Sequence, residues 1–104
     1  MRVVIRFHQS CKDDILAWLA RLPGQIEDRR ALVDVSIQAL KAELVRTTGR
    51  PGDAEYREEP PPPCYWWKLA AGCWVRYTVV DSRGLFAPRT RTIEVIGLEP
   101  ESPA

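Results

Sequence analysis

The chain has 104 residues, 45% of them hydrophobic and 28% charged, with a formal net charge of +1. That length suits one domain with its own core, and the balanced charge argues against an avid polyanion binder, so any basic site must be built by local segregation. Three cysteines without a CxxC pair, and a single histidine, argue against a disulfide framework or a zinc site.

Residues 2 to 8 alternate, with Val3, Ile5 and Phe7 on one face and Arg2, Val4, Arg6 and His8 on the other, which predicts a half-buried first strand. The start at Met1-Arg2 shows no signal-peptide pattern, and no apolar run reaches spanning length, so the expected setting is the cytoplasm, away from membranes. Ser10, three residues before Asp13, predicts a capping-box start for a first helix whose face is Ile15, Trp18, Leu19 and Leu22. Leu22-Pro23-Gly24 ends it. A second helix is expected from about Gln25 to Thr48, with Ile26, Val33, Ile37, Leu40 and Leu44 as its apolar stripe, so that the two helices make an antiparallel hairpin. Arg29, Arg30, Arg2 and Arg6 read as solvated cations.

From Arg50 to Pro63 the composition turns to Pro, Gly and Glu, ending in four prolines, and predicts a stiff connector outside the sheet. The next segment carries the most information. Cys64-Tyr65-Trp66-Trp67-Lys68-Leu69, an Ala70-Ala71-Gly72 break, and Cys73 to Val80 predict a β-hairpin closed by a three-residue loop ending in a left-handed glycine. Pairing Leu69 with Cys73 then sets Tyr65 opposite Tyr77 and Trp67 opposite Val75 on a core face. The same register sets Trp66 opposite Arg76 and Lys68 opposite Trp74 on the other face, which becomes a checkerboard of indoles and cations. Trp67→Ala is therefore expected to cost more stability than Trp66→Ala. Asp81-Ser82-Arg83-Gly84 predicts a turn, and Arg89 to Ile96 a last strand. The expected fold is α+β: strand–helix–helix–three strands, an antiparallel-rich sheet with the helical hairpin on one face. One domain spans residues 1–98, followed by a frayed tail over residues 99–104.

The order of elements, with YWWKL-AAG-CWVRYTVVD followed by RTIEVIGL, resembles the RelE/ParE superfamily of toxins from type II toxin–antitoxin modules. The resemblance implies an antitoxin partner and one of two targets, ribosome-bound mRNA or DNA gyrase. It also implies, for an active RelE-like member, a metal-independent endoribonuclease that uses cations on the exposed sheet face and no cofactor. Carried onto this chain, it makes Lys68 and Arg76 the candidate catalytic cations. Trp66, Trp74, Arg89 and Arg91 are the candidate binding residues. The pattern departs where Trp66 and Trp74 stand at positions that are basic in those members, and where Leu98-Glu99-Pro100-Glu101 replaces a basic residue. RNA transesterification needs a proton acceptor and positive charge at the phosphate, so these departures favour reduced or lost activity. The alternative is a noncatalytic protein- or peptide-binding domain that uses the Trp-rich face.

Overall fold

A computed structural model describes residues 1–59, 61–69, 72–86 and 88–100. The elements in chain order are β1 (Arg2–Phe7), α1 (Cys11–Arg21), α2 (Ile26–Arg46), β2 (Glu55–Arg57), β3 (Cys64–Leu69), β4 (Cys73–Ser82) and β5 (Thr90–Pro100). The fold is α+β. Its five strands form one mixed sheet in the order β1-β5-β4-β3-β2, with β1 parallel to β5 and the remaining neighbours antiparallel. No helix among the described residues is long and apolar enough to cross a membrane.

Both helices pack on one sheet face, because each carries an apolar stripe that water disfavours. Trp18 from α1 and Val33, Leu40 and Leu44 from α2 close over Val75, Tyr77, Ile93 and Val95 of β4 and β5. Val3, Ile5 and Phe7 of β1 join them, as their alternation predicts. Ile26 does not: it stands exposed at the first residue of α2, beyond the reach of the sheet. Arg29 is not simply solvated, since its Nη1 donates to the Leu19 carbonyl near the end of α1 at 3.2 Å.

The hairpin register matches the sequence reading pair for pair, from Tyr65↔Tyr77 through Leu69↔Cys73. Gly72 takes φ 75° and its N–H donates to the Leu69 carbonyl at 3.0 Å. A residue without Cβ meets that conformation at no steric cost. Ala70 and Ala71 lie outside the described residues.

The turn expected at Asp81-Ser82 is displaced, because β4 continues through Ser82, which pairs with Thr90. Four further expectations are corrected. The segment after α2 is more than a connector, because Glu55–Arg57 pairs antiparallel with β3 as an edge strand, giving four strands after the helices instead of three. Three residues were too few to show a period. Ser10 makes no side-chain cap to α1, since its own backbone is helical and its hydroxyl meets His8 Nδ1 at 2.8 Å. The last strand neither ends at Ile96 nor frays from Glu99: Leu98, Glu99 and Pro100 continue β5 opposite Val75, Trp74 and Cys73. Residues 101–104 lie outside the described residues.

The fourth correction concerns Trp67. It is only half-buried and its indole N–H donates to Asp53 Oδ1 at 2.9 Å, whereas Trp66, on the opposite face, is 9% exposed. The helices pack mainly on β5 and β1, so β3 lies at the margin of the covered face. The expected ranking of these two tryptophans is therefore reversed in burial.

The β4–β5 ladder contains a bulge: Arg76 pairs with Gly97 but Tyr77 with Val95, so Ile96 is an extra residue. One inserted residue reverses the faces of everything beyond it. Leu98 thereby drops into the core and Glu99 turns to the face away from the helices. The first turn of α1 braces this irregularity. Asp14 Oδ2 accepts the Leu98 N–H at 3.0 Å, and the Ser10 hydroxyl donates to the Ile96 carbonyl at 3.4 Å.

Candidate functional site

The sheet face opposite the helices gathers Trp66 and Lys68 from β3, Trp74 and Arg76 from β4, Arg57 from β2, and Glu99 from β5. Alternation alone puts the four β3–β4 side chains together, since residues two apart along a strand share a face. Pairing of β2 with β3 adds Arg57 beside them, opposite Cys64.

The cations lie against the indoles. Arg57 Cζ is 4.6 Å from the Trp66 ring centroid and 5.7 Å from that of Trp74. Arg76 Cζ is 5.5 Å from Trp66, and Lys68 Nζ is 6.0 Å from Trp74. The two indoles meet edge to face at 6.3 Å. Guanidinium groups thus roof Trp66, which explains its burial on a face that no helix covers. Gly97 makes room for this arrangement: a Cβ on it would fall 2.9 Å from Arg76 Cζ, so the guanidinium lies directly on bare backbone.

Acids balance part of the charge. Glu55 Oε2 accepts from Arg57 Nη2 at 2.7 Å, and Glu99 Oε1 lies 3.3 Å from Arg76 Nε. The second contact is an ion pair without hydrogen-bond alignment, so among the described residues Arg76 Nε is a buried donor with no aligned acceptor, and the Trp66 indole N–H has only the weakly accepting Cys64 sulfur beside it. Such orphaned donors are uncommon and costly in a folded interior. Cys64 is buried beneath the same cluster. Burial raises its thiol pKa, against the opposing pull of Arg76 and Trp66. All three cysteines are free and buried, and burial pushes Cys73 up to about 12, so none presents a thiolate near neutral pH.

Arg89 and Arg91 are not on this face. Although β5 neighbours β4, Arg91 stands opposite Asp81 on the helix side. Its Nε and Nη2 donate to the two Asp81 oxygens at 2.7 and 2.9 Å, and its Nη1 donates to the Thr48 carbonyl at 3.0 Å. Arg89 Nη2 adds a bond to Asp81 at 3.1 Å. Together they hold the end of α2, where Thr48 takes φ 53°, a strained conformation for a β-branched residue. The two arginines belong to the framework and not to the Trp-rich face, because the strand's parity turns Arg91 toward α2.

The arrangement offers positive charge and aromatic surface but little acid–base chemistry. Tyr77 is fully buried, its hydroxyl donates to the Gly49 carbonyl at 3.0 Å, and burial raises its pKa. Tyr65 stacks on Tyr77 on the helix side at 5.5 Å. His8 follows β1, which two strands separate from β3, a gap of about 14 Å at ordinary strand spacing.

Sequence reasoning missed Arg57, Glu99 and Gly97. The alternation of Glu55 and Arg57 was the only local sign of the first. Glu99 and Gly97 owe their roles to the bulge, which no local pattern announces.

Compared with protein-family models, curated proteins and solved structures, the chain matches none.

Proposed function

We propose that this chain is a toxin-like protein of the RelE/ParE type, paired with an antitoxin, whose Trp-rich sheet face binds its target and whose ribonuclease chemistry is reduced or lost. The observation that carries the reading is the cluster of Arg57, Trp66, Trp74 and Arg76 on the one sheet face that the helices leave open. Aromatic and guanidinium groups that share a face provide large contact area and directional charge at small entropic cost, which suits an interface hot spot. Two buried donors in the same cluster that lack a strong, aligned acceptor among the described residues supply a reason for it to take an acceptor from a partner.

Support for binding over cleavage comes from the same geometry. Arg57 and Arg76 already face carboxylates, Trp66 is roofed, and the one imidazole, His8, follows a distant strand. A phosphate held by Lys68 and Arg76 would have charge stabilisation, but the carboxylates on that face, Glu55 and Glu99, are already engaged by Arg57 and Arg76. The noncatalytic binding domain is the second reading, favoured by that engagement of the carboxylates.

Expression in a bacterial host separates the two. Growth arrest that Lys68→Ala with Arg76→Ala relieves supports the toxin-like reading, and assays of mRNA cleavage and gyrase supercoiling then identify the target. Normal growth with neither activity leaves the binding domain.

A further inference from the structure

The sheet's other end carries a second surface, independent of the Trp-rich face. Among the described residues β1 is an edge strand, hydrogen-bonded to β5 and to no other strand. The Arg2 N–H donates to the Arg89 carbonyl at 3.0 Å and the His8 N–H to the Val95 carbonyl at 2.8 Å. In a parallel ladder a residue directs its N–H and C=O to the same side, so the even-numbered residues of β1 face β5. The N–H and C=O groups of Val3, Ile5 and Phe7 consequently point outward, where the sheet offers no partner among the described residues.

Such a row is a template for another strand, and side chains decide which strand it admits. On the open face the edge carries Arg2 and Arg6, both exposed. Glu94 is beside Arg6 in register, yet among the described residues neither arginine forms an ion pair. On the helix side Val3, Ile5 and Phe7 are half-buried, and Lys41 Nζ lies 5.5 Å over the Phe7 ring. An added strand therefore meets cations on one face and an unfinished apolar rim on the other.

We propose that the β1 edge binds an extended acidic segment of a partner protein as a sixth strand, with acids alternating with β-branched residues. Acids opposite Arg2, Val4 and Arg6 place negative charge beside both guanidinium groups. Apolar residues opposite Val3, Ile5 and Phe7 extend the core outward. A second copy of the chain fits poorly: two antiparallel β1 strands set Arg2 and Arg6 of each copy directly or diagonally across from those of the other, and like charges so placed repel. A nucleic acid would satisfy the arginines but leave the outward backbone groups unpaired.

The test uses the whole chain and an acetylated, amidated hexapeptide alternating Glu and Val. Amide hydrogen exchange and NMR titration are the readouts. Exchange at the Val3, Ile5 and Phe7 amides is expected to slow at least tenfold on saturation, with little change at Val4 and Arg6, which β5 already protects. Arg2→Glu with Arg6→Glu should weaken that peptide at least tenfold and confer binding of a Lys-Val counterpart, which shows the variant folded. Equal binding of a peptide N-methylated on alternate amides would overturn strand addition. So would protection that rises with protein concentration alone (a second copy), an oligonucleotide that displaces the peptide without protecting those amides, shifts centred on Trp66 and Trp74, or no binding. Growth arrest in the host reads the Trp-rich face separately, so failure here leaves that reading standing.

Discussion

The two faces of this sheet are both rich in aromatic residues, and they bury them by different means. On the helix side Tyr77 is enclosed by apolar side chains from α1, α2 and the neighbouring strands, with its hydroxyl anchored to Gly49. On the open side Trp66 reaches nearly the same burial under Arg57 and Arg76 and against the Trp74 indole. The first enclosure is rigid, because helices and sheet interlock at the packing density of a solid. The second is a roof of long, charged side chains that can swing away. Burial by itself thus says little about rigidity; what does the burying decides whether a surface can open to a partner.

That contrast can be broken by substitution. Tyr77→Ala is expected to cost about 3–5 kcal/mol, since the interlocked helices cannot collapse onto the void. Trp66→Ala should cost about 1.5–3 kcal/mol, the loss of burial without much residual cavity. Urea denaturation measures both, and equal losses would mean that the open face is as rigid as the covered one.

Asp14→Ala tests the brace that connects the faces. It leaves the Leu98 N–H without its acceptor, at a cost of about 1–3 kcal/mol by the same measurement. It should also loosen Glu99 from Arg76, seen as a change in near-ultraviolet circular dichroism from Trp66. Gly97→Ala acts on the roof directly. The new Cβ displaces a flexible guanidinium and not backbone, so about 0.5–1 kcal/mol is expected, the loss of one cation–aromatic contact. The indole signal should move more than stability does; an unchanged spectrum would show that Arg76 does not lie on Gly97.

The smallest effect concerns acid. The Arg91 hydrogen bonds hold Asp81 down to about 2, from an ordinary 3.8. A carboxylate depressed in the folded state adds stability that is fully present above the unfolded value and is lost as the pH falls through the folded one. The stability difference between the native chain and Asp81→Asn should therefore shrink between about pH 4 and pH 2. A difference constant over that interval would separate Asp81 from the hold on α2.

The hairpin and the first strand could be read residue by residue because their information is local. A two-residue period fixes which side chains share a face, and Gly72 fixes where the chain reverses. The helices were legible for a similar reason: Trp18, Val33, Leu40 and Leu44 recur at helical spacing and are buried. The proposed toxin-like reading rests on short motifs of this kind, which describe a layout more fully than an activity.

What the chain's own order of residues determined was parity: Trp66 with Lys68, Trp74 with Arg76, and Val3 with Ile5 and Phe7. Only the folded molecule decided what meets each parity class. Arg57 arrives because a three-residue edge strand pairs with β3, and Glu99 faces Arg76 because one bulged residue, held by Asp14 from a distant helix, reverses the end of β5. Arg91 turns from the Trp-rich face to the end of α2 by the same rule of alternation, once β5 is seated against β4. Those choices depend on contacts between residues far apart in the chain. A local pattern restricts such contacts but cannot select among them, because their free energy is gained only when sheet and helices close together.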